Sequence, residues 1–366
     1  MSDDFIMQMR PLFGAEEKAA LAAYMDEDGF LTEFRKTAAF EEAIAAFTGA
    51  KHCIVTNNGT ISLTLAAMAL GITAGDEVIV PNYTMIASPN SVAMFGAKPV
   101  FADVEAETLC MDIAAAGAAI TPKTRALMLV AANGRAPKAG IKAFQDLCAR
   151  HDLVLIEDAA QALGSRYDDG THIGLKGAVG SFSFSMPKII STGQGGALIT
   201  NDDTVAARLR RLKDFGRAGG GTDVHDSIGY NFKFTEMQAV IGLEQLKKLP
   251  ERVVRKRDLY RRYAEGLNGV DGVALFAQDL DQTVPWFYDV LAEDRAGLMA
   301  HLKEAGIGTR VMYPPINRQA AYRVPGVHPV SDMIGDKGLW LPSMVQLSDD
   351  QVDRITAALR KFYGAS

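Results

Sequence analysis

Between residues 50 and 250 the chain alternates short β-branched, apolar runs with longer Ala- and Leu-rich stretches. The short runs fall at 77–80, 99–101, 126–130, 153–156, 181–184 and 197–200. Between them, residues 60–70, 141–150 and 205–215 carry helical patterning. Apolar runs of this length suit strands buried on both faces, and neighbouring parallel strands need crossovers long enough for a helix. The alternation therefore predicts an α/β domain with a mostly parallel sheet. Ligands of such sheets bind beyond the carboxyl ends of the strands.

A helical pattern at 235–249 leads into a charged one at 251–262. The last third has its own strand–helix–strand succession, 284–291, 298–304 and 309–313, and closes on a helical pattern at 349–362. A chain of 366 residues is long enough for two cores. The expected division is a large domain of residues 1–248, with residues 1–14 as an arm, and a smaller C-terminal α+β domain of residues 249–366. The Gly-rich stretch 216–222 is too long for a tight turn and reads as a mobile loop.

The formal net charge of −6 provides no basic field for a nucleic-acid backbone, although a local pocket can still take a small anion. Cys53, Cys110 and Cys148 are widely spaced and read as free thiols of a reducing compartment. The first residues are acidic where a secretory or transit signal is basic, and no apolar run approaches the ~18 residues that span a bilayer. A soluble, cytoplasmic protein is expected. The six histidines lack HxH or HExxH spacing, so no catalytic metal is expected.

The chemistry concentrates in three places. The run 153–156 delivers Glu157 and Asp158, and about thirty residues later Lys188 stands in a Ser/Gly-rich stretch. Pyridoxal phosphate (PLP) needs an amine for its aldehyde, a carboxylate for its pyridinium nitrogen and small polar groups for its phosphate. Lys188 taken alone is a solvated lysine. Phe182, Phe184 and Met186 make its surroundings apolar, which depresses an amine's pKa toward a nucleophilic range. Asp158 is the candidate ring-nitrogen partner, with Glu157 a competing acid and helix capping its structural alternative. Gln161 lies one turn on, in reach of the cofactor's ring, and Ser183 is placed to donate to the phosphate. Gly59-Thr60 opens a helix whose N-terminal N–H groups suit a phosphate, or is simply a helix start capped by Asn58 or Thr60.

These motifs resemble the DegT/DnrJ/EryC1/StrS family of nucleotide-sugar aminotransferases over nearly the whole chain. The resemblance is carried by Asn57-Asn58-Gly59-Thr60, Gly75 to Pro81, Gly96 to Val104, Ile156 to Gln161, Phe182-Ser183-Phe184 with Lys188, Thr192 to Gly196, and Gly229 to Lys233. It implies an aspartate-aminotransferase-like, PLP fold-type I homodimer with active sites formed between subunits. Asn231 is then expected to reach the PLP phosphate of the partner subunit; otherwise it is an ordinary loop asparagine. Some members replace the Schiff-base lysine with histidine and act as dehydratases, so Lys188 favours the aminotransferase branch. The implied donor is glutamate. The implied acceptor is a nucleotide-linked 4-keto-6-deoxy sugar for surface polysaccharides or natural products.

Three departures concern the substrate. Met85 stands where the family usually stacks an aromatic residue on PLP. Ala131-Ala132-Asn133-Gly134-Arg135 lacks the usual histidine and aromatic, and Asn317 and Arg318 follow Tyr313-Pro314 where a histidine is common. Arg135, Tyr313, Asn317 and Arg318 are therefore the candidate substrate residues, with Arg217 a further cation. The arginines either bind an anionic group or are solvated. These departures motivate a second acceptor reading, a non-nucleotide phosphorylated or cyclitol ketone.

Overall fold

A computed structural model describes residues 5–27, 29–217, 219 and 223–365. The first four residues of the expected arm, and Ala218 and residues 220–222 of the Gly-rich stretch, lie outside the described residues.

Eleven strands are present among the described residues. In chain order they are β1 His52–Thr56, β2 Glu77–Pro81, β3 Lys98–Ala102, β4 Thr124–Val130, β5 Val154–Asp158, β6 Val179–Ser183 and β7 Gly196–Thr200. The remaining four are β8 Val273–Leu275, β9 Tyr288–Ala292, β10 Arg310–Val311 and β11 Gly338–Leu341. The first seven form one sheet in the order β1-β7-β6-β5-β4-β2-β3. Only β7 runs against its neighbours, pairing antiparallel with both β1 and β6.

Side chains alternate across this sheet, and both faces are buried. Val78, Ala126, Met128 and Ile156 pack beneath the helices Gly59–Ala69 and Asp203–Lys213. Ile79, Leu127, Leu129 and Leu155 face Phe144 and Leu147 of the helix Ile141–Arg150 on the other side. The helix Gly59–Ala69 is apolar nearly all round, with Ile61 through Ala67 buried, so the sheet and its helical neighbours enclose it. Its first turn points to the end of the sheet where β5 finishes.

β8 to β11 form a second, fully antiparallel sheet in the order β10-β11-β9-β8. It packs with the helices Leu249–Gly266, Arg295–Glu304 and Asp349–Phe362 into a separate core. Residue 249 is the first residue of a helix shared by both cores: Leu249 packs with the large sheet, Leu259 and Tyr263 with the small one. The N-terminal segment lies against the smaller unit, where Ile6 bridges Ile307 and the Ser343 N–H donates to the Gln8 carbonyl at 2.8 Å.

The expected strand at 284–291 begins only at Tyr288. Pro285 has no N–H, and the N–H groups of Val284 and Phe287 donate to Ser165 Oγ and Asn133 Oδ1 instead of a strand. That irregular segment carries Trp286 toward Pro187, just beyond β6. Among the described residues no helix is long and apolar enough to cross a membrane.

Candidate active site

Strand alternation separates the two acids at the end of β5. Glu157 faces the turn at 174–177. It accepts from the Tyr167 hydroxyl at 2.5 Å and from the N–H groups of Gly174, Lys176 and Gly177 at 2.8, 2.6 and 2.5 Å. It is a structural carboxylate. Asp158 faces the opposite way, accepting from Ser88 Oγ at 2.7 Å and the Ala160 N–H at 3.2 Å. The Asp158 carboxylate is thus held at both oxygens, and Thr84 Oγ1, 2.9 Å from Ser88 Oγ, helps to fix that serine. Burial raises the Asp158 pKa, against the Ser88 hydrogen bond and the nearby Lys188 charge.

β1 leads directly into the helix Gly59–Ala69, and Asn58 caps it by accepting from the Ile61 N–H at 2.9 Å. The capping alternative is thus real, but it satisfies only part of the first turn. Among the described residues the N–H groups of Gly59 and Thr60 have no acceptor. A Cβ at Gly59 would lie 2.8 Å from Ser183 Cβ, and one at Gly196 would lie 2.6 Å from the Asn58 carbonyl oxygen. Glycine at both positions lets the helix start close against β6 and β7. The result is an anion cradle of free N–H groups beside the hydroxyls of Thr60, Ser183 and Ser185.

Lys188 sits beyond β6, its backbone N–H donating to the Ser185 carbonyl at 3.0 Å. Its Nζ lies 4.2 Å from the centroid of the Trp286 indole. Trp286 is fixed twice: its Nε1 donates to the Pro187 carbonyl at 2.7 Å, and buried Lys256 Nζ donates to its carbonyl at 2.5 Å. Among the described residues no carboxylate pairs with Lys188 Nζ. Burial lowers its pKa from 10.5 to about 8, with the Asp158 charge acting in the opposite direction.

These groups line one cleft of about 280 Å³. Gly59, Thr60 and Ser183 face it, as do Asp158, Gln161 and Lys188. Gln161 Oε1 also accepts from the Asn133 N–H at 2.6 Å, which orients its amide. Met85 and Tyr313 contribute from two further segments. An amine with no counter-ion, a buried acid and an open anion cradle in one cleft fit the amine, ring-nitrogen and phosphate needs of PLP.

Other predicted residues are placed elsewhere. Arg135 is not a cleft cation. It is buried in a bidentate pair with Asp289, at 2.8 and 2.7 Å, and Nε donates to the Ala277 carbonyl at 2.8 Å. Removing one partner of such a pair costs about 3–5 kcal/mol, because the other charge is stranded. Asn317 is buried and exchanges hydrogen bonds with Asn82, and Arg318 pairs with Asp332 at 2.6 Å. Arg217 pairs with Asp214 and Asp223. Asn231 is exposed and does not line the cleft of its own chain.

Ser88, Trp286 and Arg310 are among the cleft residues that escaped the sequence reading. The i,i+4 hydroxyl pair Thr84 and Ser88, just past β2, was the available signal for the first. For Trp286 it was an aromatic following the proline that interrupts a strand pattern. Arg310 offered none.

The model of the DegT/DnrJ/EryC1/StrS aminotransferase family matches residues 11–360. GDP-perosamine synthase of Escherichia coli O157:H7 is 34% identical over 98% of this chain and 99% of its own. GDP-perosamine synthase of Vibrio cholerae is 35% identical over 88% of this chain and 90% of its own. Among solved structures, S. venezuelae DesV in complex with a ketimine intermediate superposes with a TM-score of 0.90 at 35% identity, covering 96% of this chain and 95% of that one.

Proposed function

Because the chain belongs to the DegT/DnrJ/EryC1/StrS aminotransferase family and is a PLP-dependent aminotransferase, we propose that it transfers an amino group from L-glutamate to a keto sugar. The acceptor in this reading is a nucleotide-linked 4-keto-6-deoxy sugar. The observation that carries the reaction type is the unpaired Lys188 amine in one cleft with Asp158. The GDP-perosamine synthase relatives support the acceptor class.

When bound, PLP supplies an electron sink that loosens the bond to the donor's α-proton. Gly59 and Thr60 offer N–H groups, and Ser183 a hydroxyl, to hold its phosphate. Asp158 keeps the ring nitrogen protonated, and Ser88 fixes the orientation of that carboxylate. Lys188 Nζ would hold the cofactor's aldehyde covalently between turnovers. The freed Nζ takes the donor's α-proton away and, in the second half-reaction, returns a proton to the sugar carbon that receives nitrogen. In the cofactor-free protein burial lowers the Lys188 pKa to about 8, which favours the neutral amine that accepts a proton. The Trp286 ring covers Lys188 Nζ on one side and limits water there.

The second acceptor reading, a non-nucleotide phosphorylated or cyclitol ketone, drew on Arg135 and Arg318 as anion binders, and both are ion-paired. Assaying a panel of keto acceptors is expected to show turnover only with nucleotide-linked sugars. Turnover confined to ketones without a nucleotide would reverse the choice.

We further propose that two copies share their active sites, with Asn231 of one supplying the phosphate site of the other. Asn231 is exposed, and Ile228 and Val224 earlier in the same segment are 80% and 60% exposed, apolar side chains that a second copy would cover. Sedimentation equilibrium is expected to give a dimer at micromolar concentration. A monomer that retains full activity would remove Asn231 from the site.

A further inference from the structure

Arg310 opens β10 and lines the cleft that contains Lys188 and Asp158. The three arginines that the sequence offered for anions are all committed, Arg135 to Asp289, Arg318 to Asp332, and Arg217 to Asp214 and Asp223. Arg310 has no carboxylate partner among the described residues. Its guanidinium carbon lies 5.5 Å from the centroid of the Trp340 ring, and its backbone is paired opposite Trp340 across the β10–β11 ladder. A guanidinium resting on an aromatic face is held in place while the N–H groups of its planar fork stay free for an acceptor.

Among the described residues the cleft is lined by one carboxylate, Asp158, and two cations, Lys188 and Arg310. Lys188 serves the cofactor and the proton transfer, which leaves Arg310 as the charge available to an acidic substrate. We infer that Arg310 binds a carboxylate of the amino-acid donor through its bidentate fork. This rests on the proposed amino-acid donor.

The choice of carboxylate over nucleotide diphosphate follows from distance along the substrate. An amino acid's α-carboxylate is bonded to the carbon that Lys188 Nζ deprotonates, so it must lie within this cleft. A sugar diphosphate is separated from its reacting carbon by the sugar ring. The keto sugar brings no carboxylate, and because Arg310 is exposed, solvent can meet its charge in that half-reaction.

The test is the donor half-reaction of PLP-loaded enzyme without acceptor, followed by the cofactor's absorbance over a range of L-glutamate concentrations. Calorimetric binding of glutarate, a dicarboxylate without an amine, gives a readout independent of turnover. R310Q is expected to weaken both donor saturation and glutarate binding roughly 10- to 100-fold, the value of hydrogen bonds to a charged group. R310K is expected to recover part of the loss, since it restores the charge without the fork. Cofactor content and the half-saturating keto-sugar concentration are expected to stay within a few-fold of wild type.

Unchanged donor and glutarate affinity in R310Q would overturn the inference. So would a selective loss of keto-sugar affinity, which would assign Arg310 to the acceptor's phosphates, or a loss of cofactor. A wild-type enzyme that glutamate never saturates would refute the proposed donor, and the inference with it. The two failures are distinct, because the first appears only in the variant.

Discussion

Lys188→Ala is expected to lower amino transfer by at least about 10³-fold, because it removes both the cofactor's covalent tether and the proton carrier. Borohydride reduction of PLP-loaded wild type followed by peptide mapping is expected to place the label on Lys188 and leave the variant unlabelled. A label on another lysine would overturn the assignment. The cofactor-free protein provides a pH signature. Burial disfavours the ammonium form, so Lys188 Nζ changes from protonated to nucleophilic as pH rises through about 8. Site-resolved labelling with an amine reagent should show that midpoint, well below the 10.5 of an ordinary lysine. The stability effect has a definite sign. Between about 8 and 10.5 the unfolded chain binds more protons at this group than the folded one, so the cofactor-free fold gains stability from it as pH rises through that window.

Asp158→Asn is expected to slow turnover by about 10²- to 10³-fold, the scale of losing one preorganised electrostatic partner. Asparagine keeps the size and an oxygen for Ser88 Oγ, so the cleft's shape is retained while the charge opposite the ring nitrogen is lost. Exchange of the donor's α-proton with solvent should slow by a similar factor, with borohydride still labelling Lys188. Glu157→Gln is the control. It weakens a carboxylate that holds the Tyr167 hydroxyl and three N–H groups of the turn at 174–177, so it should lower the melting temperature and leave proton exchange nearly unchanged. The opposite pattern would exchange the roles of the two acids.

Much of this site is readable along the chain because its parts are local. Each strand of the parallel sheet is a short apolar run, and the acid and lysine follow such runs by a few residues. The helices Ile141–Arg150 and Asp349–Phe362 match their patterned segments end to end. β1 was not among the expected strands, although it is as long as most of the others; it pairs with β7, far along the chain. The competition between Glu157 and Asp158 needed only the strand's alternation, once the direction of one side chain was known.

The substrate side was read less well. Arg135 and Arg310 are both arginines in short segments beside apolar runs, and nothing local separates them. One is neutralised by Asp289, 154 residues away, and the other faces the cleft. Ser88 reaches Asp158 across 70 residues and Trp286 reaches Pro187 across 99.

The sequence by itself determined the α/β class and the cofactor, and it narrowed the chemistry to Lys188 and one of two adjacent acids, Glu157 and Asp158. Those depend on periodicity and on side-chain chemistry within a few turns of chain. Only the tertiary structure decided which acid turns toward the lysine, which ring covers it and which arginine keeps its charge free. Ion pairing and desolvation act over a few ångströms of space, and that distance is set by how remote segments pack.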